Sequence, residues 1–138
     1  MNAPVKAGEM VRTVDLQDAQ DVRRIEGFVA EAGASLFHRP AWLKAAEAGS
    51  GQRAAGLVAE RMGVLTGWLP ITEVRSALFG KALVSSGFGV GGGIIATSTE
   101  AAGALAAAAQ DHAVRGGFSG IELRGGVIPD GWETLSEK

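Results

Sequence analysis

Few groups of residues in this sequence stand out as able to do chemistry near neutral pH. His38-Arg39-Pro40 precedes a helix signal. An imidazole there can pass a proton, and a guanidinium can hold a carboxylate or a phosphate. The same three residues can equally fix the loop that leads into the helix. That structural role is favoured, because the sequence shows no partner for His38. Glu73 and Arg75 alternate near the end of a strand pattern, so they share a face. Arg75 can hold a substrate anion; the plainer reading is a solvated pair worth under about 1 kcal/mol. Ser85 and Ser86 stand directly before a glycine run. No G-x-S-x-G elbow surrounds them, so serine hydrolysis is not supported. Their expected role is hydrogen bonding to a ligand or to their own backbone.

Gly87, Gly89 and Gly92 satisfy G-x-G-x-x-G. That motif binds a dinucleotide when its glycines open a helix. Here Ile94-Ile95-Ala96 intervenes, and Asp111 lies inside the next helix rather than closing a strand. A dinucleotide site is therefore not expected. The plainer reading is a flexible strand-to-helix loop; the intermediate one is a groove lined by backbone, since glycine lets a ligand approach main-chain N–H groups closely. His112 falls on the apolar face of an Ala-rich helix and reads as a packed core histidine. Glu122 and Arg124 alternate on the last strand, as a general base with its neighbour or as a plain ion pair.

Composition narrows the chemistry further. The 138 residues contain no cysteine, which excludes thiol nucleophiles, disulfides and cysteine-ligated metal. The only histidines, 38 and 112, are far apart in sequence, which argues against a histidine-rich metal site. The net charge of -2 gives no general attraction to nucleic acid. Glycine is the outlier: the 21 present are about twice the usual share. Lys6, Glu9, Arg12 and Asp15 interrupt the start of the chain, so no secretory signal is read and the cytoplasm is expected. The longest uncharged run, Ala82 to Thr99, holds five glycines and five Ser or Thr, so no membrane span is expected.

The elements that must position these residues follow from periodicity. Residues 1–9 read as a flexible start and 10–138 as one domain. Val11 to Val14 suits a short strand. Asp18 suits an N-cap, with Asp21 in the first turn, Val22, Ile25, Phe28 and Val29 at helical spacing, and Gly33 as C-cap. Pro40 suits the first turn of a second helix, with Trp42 in the core, and Gly49-Ser50-Gly51 stops it. Ala54 to Glu60 and Val64 to Val74 read as strands joined by a short loop at Arg61-Met62-Gly63. Pro70 marks an edge or a bulge in the second of them. Leu83 to Ser86 reads as another strand. Thr97 and Glu100 form a capping box for an Ala-rich helix closed by Gly116-Gly117. Ile121 to Leu123 reads as a last buried strand with an open edge. The order β-α-α-β-β-β-α-β predicts a mixed, mostly antiparallel α/β sheet flanked by helices.

Several ordered segments carry a family resemblance. Leu36-Phe37-His38-Arg39-Pro40-Ala41-Trp42 is similar to a characteristic segment of FemAB-like proteins. Glu73-Val74-Arg75-Ser76, Leu78-Phe79-Gly80, Leu83-Val84-Ser85-Ser86-Gly87-Phe88, Gly91-Gly92-Gly93 and Ile121-Glu122-Leu123-Arg124 resemble the FemAB-related branch associated with exosortase (PEP-CTERM) systems. The resemblance spans about residues 10 to 138 and matches only the N-terminal unit of that family. It implies a fold of the GNAT acyltransferase type. It also implies transfer of an acyl or aminoacyl group to an amine in peptidoglycan or exopolysaccharide-linked biosynthesis. Aminoacyl-tRNA is the implied donor, and tRNA and a cell-wall precursor are the implied partners of the full-length protein. A second GNAT-like unit, or self-association, would complete the site. No Q/R-x-x-G-x-G/A string occurs between Ser85 and Thr97, which argues against acyl-CoA as donor.

The residues expected to form the substrate groove are Arg75, Ser85, Ser86 and Phe88, with His38 and Arg39 at its rim. No residue is assigned as the general base, and no metal is expected. A non-catalytic binding or interaction module is the second reading, because the matched unit stands without its partner unit.

Overall fold

The first helix begins where its acids place it. Asp18 accepts a hydrogen bond from the Gln20 amide, and α1 runs Ala19–Ala32 to a left-handed Gly33. It buries Ile25 and Val29, which lie on one helical face. Strand β1, Met10–Thr13, precedes it. A single 3-10 turn, Leu36–His38, then leads into α2, Pro40–Ser50, with Pro40 in its first turn. The computed structural model describes residues 8–77, 80–85 and 92–126.

Strands β2, Arg53–Arg61, and β3, Val64–Ser76, form a hairpin closed by Met62 and Gly63 alone. Both turn residues have positive φ, 52° and 82°. That is the two-residue turn whose twist matches paired strands. Strand β4, Gly80–Ser85, returns antiparallel to β3. A two-residue strand β5, Ile95–Ala96, pairs with β3 further along the same side. Helix α3, Thr99–Gly116, crosses the sheet, and β6, Gly120–Glu122, pairs parallel to β4. The sheet order is β1-β2-β3-β4-β6. The expected architecture is therefore observed, with β5 as the one added strand.

The sheet separates two apolar layers by strand alternation. Leu57, Leu69, Ile71, Leu83 and Ile94 face α3, where Ala101, Leu105, Ala106 and Ala109 meet them. Val58 and Trp68 face the other way, against Ile25, Val29 and Leu43. Trp68 is fully buried. Such a side chain removes enough area to contribute about 4–6 kcal/mol of gross apolar burial. The Ala-rich face lets α3 lie close to the sheet, since small side chains shorten the approach.

Four expectations need correction. Pro70 lies in a central strand, not on an edge. It is tolerated because β4 pairs as far as Ile71 and β5 starts at Trp68, so Leu69 and Pro70 fall between the two partners. The cap of α3 is Ser98, which accepts from the Ala101 amide, rather than Thr97. The Thr97 amide donates to the Thr66 carbonyl and so extends the strand pairing instead. Trp42 is half-buried and stands edge-on to Phe37 at 4.9 Å, while Trp68 takes the core position. Ile121 is only half-buried, because β6 is the last strand of the sheet among the described residues.

Candidate functional site

Strands β4 and β6 run side by side from the Ala82–Gly120 pair to the Val84–Glu122 pair. One residue further along β4 and two beyond Glu122, the Arg124 amide donates to Ser85 Oγ at 2.7 Å. A side chain thus takes over from the backbone ladder where the strands end. Beyond it Gly93–Ile94 and Gly125–Gly126 meet backbone to backbone. A Cβ on Gly93 would come 1.9 Å from the Gly125 carbonyl oxygen. A Cβ on Gly126, whose φ is +75°, would come 2.6 Å from the Ile94 oxygen. Only glycine fits this seam, for reasons of space at one position and of space and backbone angle at the other.

His38 holds the seam from the other face of the sheet. Its Nε2 lies 2.9 Å from the Gly93 carbonyl oxygen. Its Nδ1 faces the Ser35 amide at 3.2 Å and the Ser35 hydroxyl at 3.0 Å. A carbonyl only accepts and an amide only donates, so the ring is neutral with its proton on Nε2. Burial agrees: the ring is 6% exposed and desolvation holds its pKa below the usual imidazole range, against the opposing pull of the Gly93 carbonyl. The His38 carbonyl accepts the Trp68 indole N–H at 2.7 Å. One residue therefore ties the α1–α2 connection, the sheet core and the glycine seam together. With both nitrogens engaged, His38 is a positioning residue rather than a base.

The structure connects two of the expected groove residues, Ser85 and His38, through the seam. Arg39 points outward from the start of α2 and pairs with Glu26 of α1 at 3.1 Å. Arg75 pairs with Lys81 in register, whereas Ser85 pairs with Ile71. Four strand positions separate them, about 14 Å at the usual rise. Arg75 therefore belongs to a different place from Ser85. Ser86 and Phe88 lie outside the described residues, as do the first two glycines of the G-x-G-x-x-G string.

No family model matches the sequence, and comparison with curated proteins finds no significant match. Solved structures do resemble it. Ribosomal-protein-alanine N-acetyltransferase from Brucella melitensis biovar Abortus 2308 superposes with a TM-score of 0.58 at 15% identity, covering 95% of this chain and 99% of that one. A GCN5-related N-acetyltransferase from Ralstonia eutropha JMP134 gives 0.53 at 16% identity, covering 95% and 96%. The fold is that of the GCN5-related N-acetyltransferases. In this GNAT fold the parallel β4–β6 pair and its glycine seam form one end of the sheet, and α3 crosses beside them.

A second constellation lies on the α3 face of the GNAT sheet, and sequence reasoning missed it. Glu73 is 3% exposed, not solvated. Its Oε2 accepts from His112 Nε2 at 3.1 Å, and its Oε1 faces Arg75 at 3.4 Å and Arg53 at 3.8 Å. His112 is not a core residue: its side chain is 26% exposed and it stacks on Phe118. The buried stripe of α3 runs through Ala102, Ala106, Ala109 and Ala113, which leaves position 112 on the flank. In the sequence the two appear only as polar residues on separate elements. Only the tertiary fold brings them together.

Proposed function

We propose that this chain is an N-acyltransferase unit that joins an activated acyl or aminoacyl group to an amine at the β4–β6 sheet end. The observation that carries the reading is the glycine seam held by His38, set in a fold shared with two N-acetyltransferases. The residues at the seam favour direct attack of the amine on the acyl carbon. Ser85 Oγ is buried and takes the Arg124 amide, and both His38 nitrogens are engaged, so neither serves as a covalent nucleophile. Catalysis then rests on positioning two substrates.

The donor of this reading is an aminoacyl ester rather than a coenzyme A thioester. Two observations support that choice. The Q/R-x-x-G-x-G/A string is missing before α3, and Glu100 places a carboxylate in the first turn of α3, where it disfavours a pyrophosphate. The FemAB-like segments favour a cell-wall precursor or an exopolysaccharide-linked amine as acceptor, met in the cytoplasm. They also favour a second GNAT-like unit completing the site. Purified protein, alone and as part of any longer product of its gene, should form an amide from charged tRNA and an amine-bearing peptidoglycan precursor. Product from acetyl-CoA but not from charged tRNA would overturn the donor assignment. No product from either would overturn the reading.

A non-catalytic binding or interaction module is the second reading. It is favoured by β6, whose outer side pairs with no strand among the described residues. It calls for saturable binding of a ligand or partner without turnover.

A further inference from the structure

The Glu73–His112 constellation borders a cleft of about 510 Å³ between β1, the strand ends of β2 and β3, and the last turns of α3. That volume falls within the range of small-molecule sites. Arg53 and Glu73 are direct partners in the β2–β3 register, and Arg75 follows two residues on. Both guanidinium groups therefore flank one carboxylate. Glu73 is buried and anchored by His112, so it holds its position. It neutralises one of the two arginines and leaves a surplus of one positive charge. The arginine side chains are 70% and 53% exposed, and only Arg75 donates a hydrogen bond to Glu73. A guanidinium has five N–H donors, so most remain for a ligand. The Arg75 backbone is fixed by a reciprocal pair of bonds with the Gln52 side chain, and its guanidinium lies 5.5 Å from the centre of the Phe118 ring.

We propose that this cleft binds a small organic monocarboxylate with an apolar body. The carboxylate meets Arg53 and Arg75, whose planar donors match its two oxygens. The apolar body lies against Leu57, Ala108 and Phe118, which line the same cleft. Arg12, Arg53, Arg75 and Arg115 line the cleft with Glu73 and Asp111. Arg115 pairs with Asp111, and Arg12 with Asp21 and Glu60, so one cation is left in surplus and polyanions are disfavoured. The inference is independent of the acyl-transfer reading: it concerns equilibrium binding at a place about four strand positions from Ser85.

The test is a titration followed by NMR, with 3-phenylpropionate as probe and no acyl donor present. Saturable shifts are expected at the Arg53 and Arg75 side-chain N–H groups and at the amides of Leu57 and Ala108. Arg53→Ala or Arg75→Ala, each alone, should weaken binding by roughly tenfold or more, the worth of one lost charge-assisted contact. The neutral 3-phenylpropanamide tests the wild-type protein without any substitution, and it should bind at least about tenfold more weakly. Equal affinity for acid and amide would overturn the proposal, as would saturation by inorganic phosphate at lower concentration or no saturable shift at all. A dipeptide ending in Phe offers the same carboxylate on a peptide; tighter binding of that probe would overturn the small-molecule assignment.

Discussion

Replacing His38 by Ala should cost about 2–4 kcal/mol of folding stability. The larger part comes from the Gly93 carbonyl, which accepts from His38 Nε2 in a buried place and would lose its partner. An orphaned buried acceptor costs about 1–3 kcal/mol. The void left by the imidazole adds about 1 kcal/mol, at the low end of large-to-small core changes because the neighbouring turn can settle into it. The Ser35 amide and hydroxyl are part-buried and regain water, so they add little. Urea denaturation at pH 7.5 reads the loss as a midpoint lower by about 1–2 M. His38→Gln should recover part of it, since an amide can donate toward Gly93 and accept from Ser35. The pH dependence separates this bond from simple packing. The folded ring resists protonation because it is buried, while the unfolded ring titrates near 6.5. The unfolded state therefore takes up the proton first, and stability is full above about pH 6.5 and falls as the pH drops below it. His38→Gln should lack that fall. A loss under about 0.5 kcal/mol for His38→Ala, or the same acid slope in both proteins, would refute the assignment of His38 as the seam's anchor.

Other substitutions test neighbouring parts of the account. Gly93→Ala brings its methyl into the Gly125 backbone, which no rotamer change can relieve, and should cost upwards of about 3 kcal/mol by thermal or urea unfolding. Trp68→Phe removes the indole donor from the buried His38 carbonyl and leaves a gap; a loss of about 2–3 kcal/mol is expected from the same measurement. Arg12→Ala removes a partly exposed guanidinium from the half-buried carboxylates of Asp21 and Glu60, and should cost about 1 kcal/mol. The hydrogen bond from Arg12 holds the Asp21 carboxyl below its usual range. Burial pushes Glu60 up, but bonds from Arg12 and Arg24 outweigh it and hold Glu60 low as well. Their contribution is present above about pH 4 and is lost as acid protonates them, so Arg12→Ala should flatten the acid limb of a stability–pH curve.

Local rules made much of the fold legible. Asp18, Gly33 and Pro40 act at helix ends through their own backbone chemistry, so their roles could be read without the tertiary structure. The alternation of Leu57, Val58, Leu69 and Trp68 likewise predicts which face each side chain takes. The displaced cap at Ser98 was not legible, because Thr97 is drawn into pairing with Thr66, a partner thirty-one residues away. His112 read as core from helical periodicity, yet the stripe that packs is set by where α3 crosses the sheet. Ser85 and His38 stand out in the sequence by type and by lying two residues before a glycine run and before Pro40. Their connection through Gly93 and Gly125 depends on two loops distant in sequence. Arg75 was grouped with Ser85 because both end strands, but antiparallel pairing puts those ends apart.

The central claim is amide formation by direct attack at the β4–β6 sheet end. Intact-mass spectrometry of the protein during incubation with charged tRNA and an amine-bearing peptidoglycan precursor tests it most directly. The account predicts that the precursor gains the mass of the aminoacyl group while the protein's own mass stays unchanged throughout. A protein-bound acyl group that chases into product, or a precursor that is never modified, would contradict it.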